Sequence, residues 1–106
     1  MRKITQEACH ALLYGKRYKR SNTKVEDDVL YLFDNAIAKV CNGELYISDG
    51  GRKSATTKER LNGLRGVEIT QKKWVWYLNG IKWDGRWINV CALDALVILK
   101  RKLQMT

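Results

Sequence analysis

Val29-Leu30-Tyr31-Leu32-Phe33-Asp34-Asn35-Ala36-Ile37-Ala38-Lys39-Val40-Cys41-Asn42-Gly43-Glu44-Leu45-Tyr46-Ile47-Ser48 is the stretch that decides the fold. Val29 to Phe33 is rich in β-branched and aromatic residues, which suit a pleated, half-buried strand. Asp34-Asn35 reads as a turn, and Ala36 to Val40 as the returning strand. Asn42-Gly43 is the dipeptide that two-residue hairpins favour, because both positions must take a left-handed backbone. Glu44 to Ser48 alternates, so Leu45 and Ile47 share one face. Asp49-Gly50-Gly51 ends the run, and the whole reads as a three-stranded antiparallel meander.

On the N-terminal side, residues 4–14 read as a helix with Thr5 as its cap and Ala8, Cys9, Leu12 and Leu13 at helical spacing. Gly15 suits the left-handed position past a helix end. Lys16 to Arg20 then reads as a linker and Ser21-Asn22-Thr23 as a loop. On the C-terminal side, Thr56-Thr57-Lys58-Glu59 has the form of a capping box and predicts a short helix that stops near Gly63. A second strand run follows: Val67 to Thr70, a Gln71-Lys72-Lys73 turn, Trp74 to Leu78, Asn79-Gly80, Ile81 to Trp83, Asp84-Gly85 and Trp87 to Val90. Residues 92–103 read as a terminal helix, with Asp94 early and Lys100-Arg101-Lys102 late, as the helix dipole prefers. The expected fold class is α+β: an antiparallel sheet of about five to seven strands with an N-terminal helix, a short middle helix and a C-terminal helix. The 106 residues suit a single domain, with 91–106 as a helical extension.

The charge balance is the strongest functional signal. Twenty Lys and Arg against eleven Asp and Glu give a net charge of +9, a field that attracts polyanions and does nothing for folding itself. The cations concentrate on expected loops, caps and tips: Lys16, Arg17, Lys19 and Arg20 around Tyr18, then Arg52 and Lys53, Lys58, Arg60 and Arg65, and Lys72-Lys73. Phosphate contacts need cations on flexible stems, and a nearby ring such as Tyr18 adds base stacking. These twelve residues are the candidate polyanion or partner-binding set. Trp74, Trp76, Trp83 and Trp87 fall on the second strand run, where they are expected to build the core, with Trp74 and Trp76 sharing a strand face with Leu78.

No catalytic set is expected. His10 neighbours Cys9 on a helix, where successive side chains point about 100° apart and make a poor nucleophile–base pair. Glu26-Asp27-Asp28 lacks the ligand spacing of a cation loop and is expected to be a solvated turn. Cys9, Cys41 and Cys91 form no CxxC pair, so zinc-finger spacing is missing and free thiols in a reducing compartment are expected. No cofactor or metal is expected. Arg2-Lys3 runs into an amphipathic segment, unlike a secretory leader. The apolar run Ala92–Leu99 is shorter than the about 20 residues that span a bilayer, so a membrane partner is not expected.

Thr56 to Leu64, Val67, Trp76-Tyr77-Leu78-Asn79-Gly80 and Trp83-Asp84-Gly85-Arg86-Trp87, with Asn42-Gly43-Glu44-Leu45-Tyr46-Ile47, resemble short accessory proteins of tailed bacteriophages and prophages. The likeness extends to Val90 and leaves the tail from Cys91 to Thr106 outside. It implies a phage accessory gene expressed in the cytoplasm of a bacterial host, where such genes commonly redirect host machinery or block host defence, CRISPR systems included. It assigns no residue a role. The expected function is therefore a non-enzymatic protein that binds and inhibits or modulates an acidic protein or nucleoprotein complex of the host. The alternative is direct DNA or RNA binding in regulation or packaging, and a homodimer through the C-terminal helix stays open.

Overall fold

The computed structural model describes residues 2–90. In chain order the elements are α1 (Lys3–Leu13), β1 (Tyr18–Arg20), β2 (Thr23–Glu26), β3 (Val29–Leu32), β4 (Asn35–Cys41), β5 (Glu44–Ile47), α2 (Ala55–Leu61), β6 (Ile69–Lys72), β7 (Val75–Leu78), β8 (Ile81–Lys82) and β9 (Ile88–Asn89). They build two antiparallel sheets, a six-stranded one in the order β1-β2-β3-β4-β5-β9 and a three-stranded one in the order β6-β7-β8.

Period-two alternation creates the larger sheet. Thr23 and Val25, Leu30 and Leu32, and Leu45 and Ile47 point to one side and are buried. The register slips between Leu30 and Tyr31, where Leu30 faces Ala38 but Tyr31 faces Ala36. The extra residue, Ile37, is buried beside Ala38, and its carbonyl accepts from the Ser48 amide at 2.8 Å. A bulge thus places two consecutive side chains in the core.

Both helices pack on that buried face. A buried polar cluster fixes them there. The Arg60 guanidinium, 2% exposed, donates through Nε to Thr23 Oγ1 at 3.0 Å and through Nη1 to Thr5 Oγ1 at 2.9 Å. Nη1 also pairs with the Glu59 carboxylate, which in turn accepts from the Thr5 hydroxyl at 2.7 Å. One side chain on α2 therefore ties α1 to β2. Gly63 completes the fit, since a Cβ there would lie 2.8 Å from Cys9 Sγ and closer still to the Thr5 methyl. Cys9 Sγ donates to the Arg60 carbonyl at 3.4 Å.

Several expectations change. Thr5 does not cap α1: it is fully buried in that cluster, and Arg2 occupies the cap position without a side-chain bond. Ser54, rather than Thr56, caps α2 by accepting from the Thr57 amide at 3.1 Å, while Glu59 faces Thr5 and Arg60. The stretch 16–23, expected as linker and loop, contains β1 and the start of β2, so the meander has five strands. Phe33-Asp34, not Asp34-Asn35, forms the β3–β4 turn. Lys73-Trp74 turns between β6 and β7, so Trp74 leaves the strand face that Trp76 and Leu78 share. Asp84-Gly85 is no hairpin turn, because β9 leaves the small sheet and pairs with β5.

The expected fold class, one sheet of about five to seven strands with three helices, is overturned for these reasons. The described residues are mostly β, in two sheets of six and three strands with two short helices. The surplus strands came from polar segments without a hydrophobic run, and the second sheet from a crossover that strand patterns do not reveal. The expected helix over 92–103 lies outside the described residues.

Two outcomes test this architecture. Arg60→Met removes the buried cation of an ion pair and takes one hydrogen-bond partner each from Thr5, Thr23 and Glu59, so it should destabilise the protein by about 2–4 kcal/mol in urea denaturation. Lys58→Met, two residues away in an exposed bond to Gln71, should change stability by less than about 0.5 kcal/mol. Equal effects would mean that Arg60 does not anchor the helices.

The second outcome concerns Cys9. Burial first, and the Glu59 carboxylate second, push its thiol up to about 12 against the opposing effect of Arg60. The folded protein then keeps a proton that the unfolded chain loses near pH 9. That contribution is complete below pH 9 and is lost as pH rises towards about 12. The stability of the parent protein should fall across this window more steeply than that of Cys9→Ala, by up to about 1.4 kcal/mol per pH unit. Parallel lines of urea midpoint against pH would exclude this linkage.

Candidate nucleic-acid interface

The strand register that buries one face of the six-stranded sheet sends a different set of side chains to the other. Lys19 lies opposite Lys24, and Lys24 opposite Tyr31. In the next row Glu26 pairs with Val29, Val29 with Lys39, Lys39 with Tyr46, and Tyr46 with Asn89. Trp87, two residues before Asn89, joins this face. Both helices pack on the opposite side, through Thr5, Cys9, Arg60 and Leu61.

Cations and rings alternate across this open face. Lys24 Nζ lies 4.8 Å from the Tyr31 ring centre. Lys39 Nζ sits between two rings, 4.6 Å from Trp87 and 5.7 Å from Tyr46. Such contacts hold an ammonium over a ring while leaving its remaining protons for an anion. At one end of the sheet, Lys19, Lys24 and Phe33 line a cavity of about 520 Å³ with Ser21, Asn22 and Asp34. Phe33 is exposed and also borders a second cavity of about 260 Å³ that contains Arg52, Ser54 and Thr56.

Two carboxylates temper the charge. Glu26 pairs with Arg17 at 3.3 Å and Lys24 at 3.8 Å. Glu44 accepts from the Tyr46 hydroxyl at 3.2 Å and from Asn89 at 2.8 Å. Its hydrogen bond is the main cause that holds the Tyr46 phenol above its ordinary range, so that ring stays neutral.

The structure disperses the cations expected to act together. Tyr18 and Arg20 turn inward towards α1, where both bond Glu7, at 3.4 Å and 3.1 Å. Lys19 points to the open face between them. Arg17 is engaged by Glu26. Lys53 is held by Asp49 at 3.0 Å and by the Asp84 carbonyl, and Lys58 donates to Gln71 at 3.3 Å. Arg60 is interior and unavailable to a partner. Among the described residues, Lys16, Lys19, Arg52, Arg65, Lys72 and Lys73 make no ion pair. Of these, Lys19 joins the open face, Arg52 borders the adjoining cavity, and Lys72 and Lys73 crown the separate β6–β7 tip.

The sequence pattern did not mark Lys24, Tyr31, Phe33, Lys39 or Tyr46 as site residues, and Trp87, expected in the core, is exposed instead. Alternation was the available signal, because Leu30 and Leu32 inside put Tyr31 outside, and Leu45 and Ile47 do the same for Tyr46. Groups suited to proton or metal chemistry lie apart. His10 packs against Tyr14 with ring centres 4.5 Å apart, and Asp27-Asp28 forms the β2–β3 turn. Among the described residues no three His, Cys, Asp or Glu side chains come together as a metal site. No described helix is long and apolar enough to cross a membrane.

Nothing among curated proteins or solved structures matches the chain. A protein-family profile described as Kyanoviridae Gp96 protein matches residues 1–92, which spans α1 through β9 and so includes both sheets and every residue of the open face. The chain therefore belongs to the Kyanoviridae Gp96 family, a family of phage proteins.

Proposed function

We propose that this phage protein acts by binding nucleic acid within a bacterial nucleoprotein target, using the open face of its six-stranded sheet, and that it does no chemistry of its own. The observation that carries the proposal is the alternation of Lys19, Lys24 and Lys39 with Tyr31, Tyr46 and Trp87 on a sheet face opposite the helices. Sheets recognise single strands in this way elsewhere: rings stack on bases of any identity while cations follow the phosphates. The net charge of +9 supports it, since it draws polyanions from a distance. The reactive groups are poorly placed for catalysis, with Cys9 buried and His10 stacked on Tyr14.

The family membership supports a site of action in the host cytoplasm. In that setting, occupation of nucleic acid in a host-defence complex of CRISPR type would inhibit the complex. Direct binding to phage or host DNA or RNA in regulation or packaging uses the same surface.

Fluorescence anisotropy with a labelled single-stranded oligonucleotide tests the surface. Affinity should fall steeply with salt, because bound cations displace condensed counterions. Lys24→Glu with Lys39→Glu should weaken binding at least about tenfold and reduce the log–log salt slope by about 1.4, at about 0.7 per lost phosphate contact. Arg65→Glu, away from the sheet face, should change affinity far less. Equal effects of the two variants, or no binding by the parent protein, would exclude the sheet face. In bacteria carrying an interference reporter, the parent protein should lower interference and the double variant should not. An unchanged reporter in every system tested would remove the defence target.

A further inference from the structure

Trp74 is 89% exposed, more than any other large apolar side chain among the described residues. It stands at the tip of the β6–β7 hairpin, in a two-residue turn closed by the pair Lys72 and Val75. Lys73 and Trp74 both have left-handed backbones, with φ of 50° and 70°. Such turns favour Asn-Gly, and the next turn of the same sheet, Asn79-Gly80, has that sequence. A lysine and a tryptophan in these two positions sacrifice backbone preference. In exchange the turn displays an exposed indole directly after two lysines. The hairpin is firmly based, since Trp76 and Leu78 on β7 are buried and Trp76 packs against Trp83. Lys58 reaches the same strand through Gln71, one residue before Lys72.

We propose that this tip is a second nucleic-acid contact, in which Trp74 stacks on a nucleobase while Lys72 and Lys73 hold the flanking phosphates. The proposal rests on the nucleic-acid reading above and adds a site that the open sheet face does not include. An apolar pocket on a protein would also take an indole. The local charge favours the nucleobase: Lys72 and Lys73 lie in the tip, Lys58 bonds Gln71 next to it, and none of the three pairs with a carboxylate among the described residues. A base next to its phosphates presents a ring face and negative charge together, which matches an indole next to cations.

The test compares Trp74→Ala, Trp74→Tyr and the double variant Lys73→Asn with Trp74→Gly on a labelled single strand, a duplex of the same sequence and an abasic strand. Trp74→Ala should weaken single-strand binding by about 5- to 150-fold, the range of one lost stack, and Trp74→Tyr should recover most of it. On the abasic strand the parent protein and Trp74→Ala should bind alike. The double variant should melt at a higher temperature than the parent and still lose single-strand affinity, which separates loss of contact from loss of fold. Duplex binding that depends on Trp74 as strongly as single-strand binding would assign the indole to a duplex step or end, which is still base stacking. Parent-like affinity of Trp74→Ala on both strands, while Lys24→Glu with Lys39→Glu loses binding, overturns this inference and leaves the sheet-face reading intact. Equal weakening of Trp74→Ala on abasic and normal strands overturns the stacking role. No binding by the parent protein overturns both.

Discussion

The guanidinium of Arg60 is the point on which the described fold turns. It lies in the interior with hydrogen bonds to Thr23 on β2 and Thr5 on α1 and an ion pair to Glu59 beside it on α2. Burying a charge is costly unless its protons find acceptors, and here two hydroxyls and a carboxylate take protons from Nε and Nη1. The geometry of those acceptors fixes where both helices sit. Thr23 points to the buried side of the large sheet, so α1 and α2 must cover that side. Gly63 then lets α2 approach Cys9 and Thr5 more closely than any side chain would permit.

The consequence lies on the other side of the sheet. With both helices committed to one face, the residues that alternate with the core have no other described element packed on them. Lys24, Tyr31, Lys39, Tyr46 and Trp87 respond by packing on each other, ammonium over ring. These contacts shelter ring surface from water without neutralising the lysines, so the face keeps its charge. A sheet face covered by Leu and Val would instead invite association with a second sheet. The same arrangement that makes an uncovered face tolerable makes it suitable for a polyanion with flat rings.

What the sequence disclosed follows from which forces act locally. The meander from Val29 to Ser48 was legible because β-branched residues, alternation and Asn42-Gly43 all agree. β1 and β2 were not, because Tyr18-Lys19-Arg20 and Thr23-Lys24-Val25-Glu26 contain only one aliphatic residue; β2 gains its strand form from pairing with β3, and β1 from pairing with β2. The basic set was legible as a composition. Its division between surface and interior was not. Arg60 has the same local signature as Lys58 and Arg65, and only the meeting of α1, α2 and β2 reveals which one is enclosed. The tryptophans divide in the same way: Trp76 and Trp83 are interior, whereas Trp74 and Trp87 are exposed.

Turn chemistry separates the positions that serve folding from those that do not. Five hairpin connections place both central residues in the left-handed region: Asp27-Asp28, Phe33-Asp34, Asn42-Gly43, Lys73-Trp74 and Asn79-Gly80. Asn, Asp and Gly tolerate that region at little cost, whereas other L-residues lose roughly 1–2 kcal/mol each. Three of the five turns therefore suit their backbones. The two that do not carry Phe33 and Lys73-Trp74, and both aromatic side chains are exposed, so no gain from core packing offsets the loss. One borders the cavity at the end of the lysine-bearing sheet face, and the other lies between Lys72 and a strand end. Backbone strain held at exposed rings beside cations is what a surface built for stacking would retain, and folding alone would have favoured Asn-Gly at both.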